Sequence, residues 1–238
     1  MPPTTIADLL ALLTAEPGRP RITWYGDGGE RVELSGAVLV NWVNKTANLL
    51  VEEFDAGPGA RIGLHLPMHW RSIVWALAAW RLGACVVLDS RTALDALVTN
   101  QPPRRMTVPT VAVALAGLAR RFDDELPAGA IDAASAVMTY GDVLGWSPPL
   151  DPLADALDDG TAQIRHIDLM PAPADSGRTL LAAVPALTIV SMAQSLRVLA
   201  GDGSLVLVDV PTAAALGADP SRRARLVQSE LVTADLLG

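Results

Sequence analysis

The chain has 238 residues, half of them hydrophobic and 18% charged, a balance that excludes a disordered polymer and supplies a large core for one α/β domain or two closely packed lobes. Its 18 basic residues are outweighed by 26 acidic ones, and a net charge of -8 repels phosphate backbones, which excludes nucleic acid as a partner. The one cysteine, Cys85, has no internal disulfide partner and sits in the apolar run Ala84 to Leu88, so it reads as a buried side chain in a reducing, cytoplasmic setting.

The chain opens with apolar residues at helical spacing from Ile6 to Leu13, and Thr5 is placed to cap them. This start lacks the basic region of a secretory signal, and Asp8 interrupts its apolar run. After the Pro17-Gly18-Arg19-Pro20 break, Arg21 to Tyr25 and Glu30 to Leu34 read as the strands of a hairpin around Gly26-Asp27-Gly28-Gly29. Ser35 can cap a helix from Gly36 to Phe54 whose core face carries Val38, Trp42, Leu49 and Leu50. Gly57-Pro58-Gly59 stops it. Arg61 to Leu66 then alternates as a strand, and Pro67 opens a Trp-rich helix, Met68 to Leu82, that leads through Gly83 into the strand Ala84 to Leu88.

Trp70, Trp75 and Trp80 are five apart, and a five-residue step advances about 500° around a helix, so the rings spread over several sides as packing and form no binding stripe. His65 and His69 are four apart but straddle Pro67, which denies them a common helical face. With no nearby Cys or carboxylate to complete the set, no metal site is predicted.

Further along, the pattern predicts a helix from Arg91 to Thr99, a break at 100–105, and a buried strand from Val108 to Leu115 running into a short helix with Leu118, Arg120 and Arg121. Gly and Pro break up residues 122–152, leaving one strand near Ala134 to Met138. Asp151 to Leu157 reads as helix, Ala162 to Leu169 as an alternating segment, and Pro171 to Gly177 as a loop. A second clear unit follows: strand Leu180 to Val184, helix Pro185 to Leu199, turn Gly201-Asp202-Gly203 and strand Ser204 to Val208. The last helix, Pro220 to Glu230, carries Arg222, Arg223 and Arg225 as a solvated face, because cations at a helix N-terminus oppose its dipole. The uncharged run Thr179 to Leu196 has the length of a membrane span, but Pro185 divides it and Thr188, Ser191, Gln194 and Ser195 punctuate it, so no membrane segment is predicted. Strands and helices alternate throughout, which predicts an α/β fold of mainly parallel sheets sandwiched by helices, with an N-terminal β-hairpin. The chain is read as one domain, 1–238, divisible into lobes at 1–110 and 111–238.

Leu34-Ser35, Ala47-Asn48-Leu49-Leu50, Pro58-Gly59-Ala60-Arg61-Ile62, Leu66-Pro67 and Leu82-Gly83-Ala84 keep a distinctive order and spacing. Through them the first 90 residues or so resemble the N-terminal region of the adenylate-forming (AMP-binding) enzymes, the superfamily of acyl-CoA synthetases, luciferases and peptide-synthetase adenylation domains. Leu199 to Leu207 looks like the helix, Gly-rich turn and strand that follow the family's phosphate loop. The preference for Arg over Lys and the ending look like a short actinobacterial family of unknown function related to these enzymes.

The resemblance implies a set of motifs for ATP chemistry: a Ser/Thr/Gly-rich loop with a lysine, a Tyr-Gly-x-Thr-Glu segment, a Thr-Gly-Asp, and a C-terminal lysine. Ser176-Gly177-Arg178-Thr179 stands about where the phosphate loop would fall but keeps only a Ser-Gly pair, without the run of amides that nests a phosphate. Thr139-Tyr140-Gly141-Asp142 echoes two of the other motifs yet precedes the second unit, so it reads as a turn. No lysine follows Lys45, and the enzymes continue where this sequence stops at Gly238. The expectation is a truncated, catalytically inactive relative with no catalytic residue, no metal and no cofactor, for which ATP or AMP are the nucleotides the resemblance would bring. Ser176, Gly177, Arg178 and Thr179 are its cleft candidates. It is expected to act as a binding or scaffold protein toward a protein partner, a second copy of itself or a small ligand. The alternative is a nucleotide- or acyl-binding subunit, or half of a split adenylate-forming ligase.

Overall fold

The computed structural model describes residues 1–89, 91–117, 119–175 and 177–237. Helix α1 (Ile6–Thr14) begins on a capping box, in which Thr5 Oγ1 accepts from the Asp8 amide at 3.1 Å and the Asp8 carboxylate accepts from the Thr5 amide at 3.0 Å. Strands β1 (Pro20–Tyr25) and β2 (Arg31–Ser35) form the expected hairpin. Ser35 caps α2 (Gly36–Phe54), whose buried face runs through Leu39, Val43, Ala47 and Leu50, whereas Val38 is 41% exposed. Leu49 and Leu50 are buried as expected and Trp42 is half-buried, while the first turn directs Leu39 to the core in place of Val38.

Strand β3 (Arg61–His65) leads into α3 (Trp70–Arg81), which starts three residues past Pro67 because His69 supplies its cap. Every residue of α3 from Trp70 to Trp80 is buried, so the three indoles pack on different sides of a helix enclosed all round. Then come β4 (Cys85–Val87), β5 (Ala96–Thr99), β6 (Thr110–Ala112), β7 (Ile131–Asp132), α4 (Ala133–Ala136), β8 (Asp155–Asp158) and β9 (Gln163–Arg165). The chain ends with β10 (Arg178–Ala182), α5 (Ile189–Ala200), β11 (Ser204–Val208), α6 (Val210–Ala218), α7 (Pro220–Ser229) and β12 (Ala234–Asp235).

Two sheets result. One has five strands in the order β12-β10-β11-β1-β2, the other seven in the order β7-β6-β5-β3-β4-β8-β9. All neighbours are parallel except the β1–β2 and β8–β9 pairs, which is the mainly parallel α/β class expected. The sheets do not part at residue 110, which lies inside β6 in the seven-stranded sheet. Both ends of the chain build the five-stranded sheet, and the middle builds the other. A single core holds α1, α2, α3 and α5 between the sheets, and a smaller cluster of Leu180, Val206, Val208, Leu216 and Leu237 lies under α6 and α7. Covered on both faces, β11 has five buried residues in a row.

Several local expectations are corrected. Residues 96–99 form β5, not a helix, because Ala96 lies in register with Ile62 of β3 and Val98 lies between Leu64 of β3 and Val111 of β6. Around Ala134 the chain is the short helix α4, capped by Asp132, whose Oδ1 accepts from the Ala134 amide at 2.9 Å. Residues 155–158 pair with β4 as β8, not as a helix. No helix follows β6 at Ala119–Arg121, and residue 118 lies outside the described residues. Helix α5 begins at Ile189 on a Thr188–Ser191 capping box, four residues beyond Pro185. The intervening segment crosses to the other sheet, where the Met68 amide donates to Val184 O at 2.9 Å and the Leu187 amide donates to Leu66 O at 3.2 Å. Helix α6 was not expected. Among the described residues, no helix is long and apolar enough to cross a membrane.

The Trp80 indole is fully enclosed and donates to Ala156 O at 2.7 Å, tying α3 to β8. Trp80→Phe removes that bond and part of the packed volume, and it should cost about 1–3 kcal/mol. A urea midpoint equal to that of the native chain would contradict this role.

Candidate functional site

Parallel strands deliver their carboxyl ends to one edge of a sheet, and crevices open there where adjacent strands lead to opposite sides. In the five-stranded sheet β10 leads to α5 in the central core, while its neighbour β11 leads to α6 on the other face. In the seven-stranded sheet, β3 leads through α3 to β4 on one side and β5 leads to β6 on the other. A cavity lies at each of these points. The first, ≈ 400 Å³, is walled by Trp24, Met68, His69, Leu115, Val184 and Val210 among others. The second, ≈ 740 Å³, takes in His65, Asp89, Asn100 and Asp159. Both include Pro67 and Pro185, so they meet across the segment that joins the sheets.

The loop after β6 is clamped at the first cavity. Arg71 of α3, 7% exposed, stacks 4.3 Å from the Trp70 ring centroid and 5.5 Å from that of Trp42, and its Nη2 donates to Ala116 O at 3.3 Å and Gly117 O at 3.4 Å. Burial pushes its pKa down to about 10. From the hairpin side, Glu30 Oε1 accepts from the Gly117 amide at 2.5 Å and Oε2 accepts from Trp24 Nε1 at 3.0 Å. A side chain at Gly117 would begin 2.5 Å from Val32 Cγ2, so the close approach requires glycine.

His69 is the buried titratable group of this wall. Its Nδ1 accepts from the Arg71 amide at 3.2 Å, and its ring lies 4.3 Å from that of Trp24. Burial, reinforced by the Arg71 charge, pushes its pKa down to about 3. The ring is thus neutral, and with Nδ1 accepting, the proton is assigned to Nε2. Asp27, Glu30 and Asp209 line the first cavity and Asp89 and Asp159 the second, and neither lining includes a lysine or an arginine.

Three of the four cleft candidates from the sequence lie elsewhere. Ser176 falls outside the described residues. Arg178 and Thr179 begin β10, at the opposite end of that strand from the crevice. Thr179 is in register with Leu205 and Ala234, and the Arg178 guanidinium donates to Thr23 Oγ1 at 2.7 Å and to Glu230. Gly177 sits against Thr233. Glu230, the C-cap of α7 and itself buried, also accepts from Tyr25 and from Arg31, so it ties the end of α7 to β1, β2 and β10. Lys45 donates to Tyr140 O at 2.6 Å and pairs with Asp142 at 2.7 Å, which fixes the Thr139–Asp142 turn on α2. Cys85 is buried, and burial raises its thiol pKa to about 12, well away from a nucleophile's range. Among the described residues, no group of three or more His, Cys, Asp or Glu could hold a metal.

The fold is that of the N-terminal part of the adenylate-forming enzymes: mixed α/β, with mostly parallel sheets flanked by helices. A Brucella canis acyl-CoA synthetase superposes with a TM-score of 0.60 over 90% of this chain and 48% of its own, at 17% identity. The fatty acyl-adenylate ligase of L. pneumophila, solved with acyl adenylate and pyrophosphate, gives 0.68 over 98% of this chain and 44% of its own, at 11% identity. Coronafacic acid ligase of Pectobacterium brasiliense gives 0.67 over 94% and 52%, at 12% identity. In sequence the chain is similar to a Mycobacterium tuberculosis protein described as a TIGR03089 family protein, 38% identical over 151 residues, which are 59% of this chain and 62% of that relative. No family model matches.

The folded pKa of His69 lies below the ordinary 6.5, so on acidification the unfolded chain binds this proton first. The stability gained by keeping the ring neutral is complete above pH 6.5 and is lost as pH falls toward 3, at about 1.4 kcal/mol per pH unit. Burial lowers the pKa of His65 and His166 too, which adds loss of the same sign. Melting temperature should therefore fall between pH 7 and 5, and the fall should be shallower in His69→Asn. Equal slopes in the two proteins would contradict a buried neutral His69.

Proposed function

We propose that this protein is a binding module on the adenylate-forming fold, without adenylating activity, and that a small apolar ligand enters the crevice between its two sheets. The observation that carries this reading is the charge of the crevice. Adenylation gathers the phosphates of ATP, and stabilising their transfer takes cations placed around them. Here Asp27, Glu30, Asp89, Asp159 and Asp209 line the two cavities without a lysine or arginine. The nearest buried cation, Arg71, is engaged by two indole faces and two carbonyls. Met68, Leu115, Val184 and Val210 supply an apolar wall, where burial of ligand carbon contributes roughly 25 cal/mol per Å². Neither ATP nor AMP is a cofactor in this reading, and the buried thiol of Cys85 fits a reducing cytoplasm.

A second reading, half of a split ligase, draws on one observation: the chain spans about half the length of the solved enzymes it superposes on. In that case a partner chain would supply the cations.

Exchange of labelled pyrophosphate into ATP, with a panel of carboxylic acids, separates the two. The binding module gives no exchange, alone or with proteins that copurify from native cells. Exchange by the purified chain overturns the silent reading, and exchange only with a partner supports the split ligase. ATP and AMP should leave the melting temperature unchanged. Ala116 is exposed at the rim of the first cavity, so Ala116→Trp should fold normally and weaken binding of an apolar ligand about tenfold or more.

A further inference from the structure

The first cavity has a more specific chemistry than an apolar hole. At ≈ 400 Å³ it is the size of a small-molecule site, and its polar groups are few and of known type. His69 is 2% exposed and lines the cavity. Its Nδ1 is occupied by the Arg71 amide at 3.2 Å, and its Nε2 makes no hydrogen bond among the described residues. The wall thus offers one fixed N–H donor. The acceptors are carboxylates: Asp209 Oδ1 takes the Thr212 amide at 2.7 Å and Asp27 Oδ1 takes the Gly28 amide at 2.8 Å, which leaves an Oδ2 on each. Each Glu30 oxygen accepts one bond and keeps a second lone pair.

A carboxylate head would satisfy His69 but would meet three like charges. An ammonium head would satisfy the carboxylates but would leave the His69 N–H buried and unpaired, which costs as much as a lost hydrogen bond or more. A group with C=O beside N–H serves both. We infer that the ligand of this cavity is an uncharged apolar molecule ending in a carboxamide-type group, whose C=O accepts from His69 Nε2–H and whose N–H donates to Asp27, Glu30 or Asp209. The inference rests on the small-ligand function proposed above and names the head group that function would select. Selectivity arises because a head without the C=O leaves the buried His69 N–H unpaired, while a negatively charged head meets the carboxylates of the rim.

Titration calorimetry on the purified full chain with octanamide, octylammonium and octanoate tests it at constant chain length. Octanamide should bind about tenfold tighter than either of the others. Asparagine keeps a capping oxygen at both helix starts, so His69→Asn and Asp209→Asn should fold, as circular dichroism can verify. In His69→Asn the preference for octanamide over octylammonium should disappear. In Asp209→Asn octanoate should bind more tightly, narrowing its gap to octanamide. Octanoate or octylammonium matching octanamide on the native chain overturns the head-group assignment while leaving a small-ligand crevice in place. If none of the three binds, both the assignment and the small-ligand function fall.

Discussion

Strand β1 lies parallel to β11, with Ile22 beside Leu205 and Tyr25 beside Val208, and the rest of the molecule depends on that pairing. It joins the two ends of the chain across everything between them, so the five-stranded sheet closes only around a finished middle. Closing so long a loop costs entropy that grows slowly with its length, and a continuous apolar strand buried on both faces offsets it. The pairing is reinforced at its start by Arg21, which is fully buried and donates to Leu13 O at 3.2 Å and to Asp202 Oδ1 at 2.7 Å. A buried guanidinium without its partner would be strongly destabilising, so Asp202 is bound to the fold by the charge it compensates.

The same pairing sets up the crevice. At its far end the Asp209 amide donates to Tyr25 O at 2.9 Å, which fixes the first residue of the α6 cap beside the hairpin. Trp24 and Glu30, Asp209 and Val210 then face one another because β1 and β11 are neighbours. The opposite wall comes from α3 and the loop after β6, which Arg71 and Glu30 grip from two sides. Arg71 is held by indole faces and backbone carbonyls, so its charge stabilises the wall and is not presented to the cavity. The crevice keeps an acidic lining although an arginine stands close behind it.

Elements with their own punctuation were legible in the sequence. Thr5 and Ser35 announced α1 and α2, the Gly-rich turn announced the hairpin, and the segments around β3, α3, β4 and β11 read correctly because their boundaries carry Gly or Pro. Among the misread elements are β5 and β8, each four residues long, the first parallel to both of its neighbours and the second parallel to β4 and antiparallel to β9. Such short strands show too little alternation to read, and their parallel partners lie in other segments of the chain, so tertiary register distinguishes them from a helical turn. Pro185 was assigned to a helix start when it belongs to the crossing segment. The crevice was less legible still, since five separate strand ends and loops compose it. No spacing marks Glu30, His69 and Asp209 as neighbours. His69 was weighed only against His65 as a metal ligand, whereas its buried environment comes from Trp24 on a different sheet.

Topology and chemistry are encoded differently here. Which strand ends leave a crevice depends on which side each connection takes, and that is fixed by the alternation of apolar strands and helices over the whole chain. Such a pattern tolerates wide sequence change, which is how folds at 11–17% identity can superpose over 90% or more of this chain. What a crevice can hold depends on a few side chains at its rim, such as Asp27, Glu30 and Asp209, none of which belongs to the buried core. Changing their charge would leave the packing between the sheets intact. Likeness of fold therefore carries little about the charge of a crevice, and the acidic rim must be read from this chain's own residues.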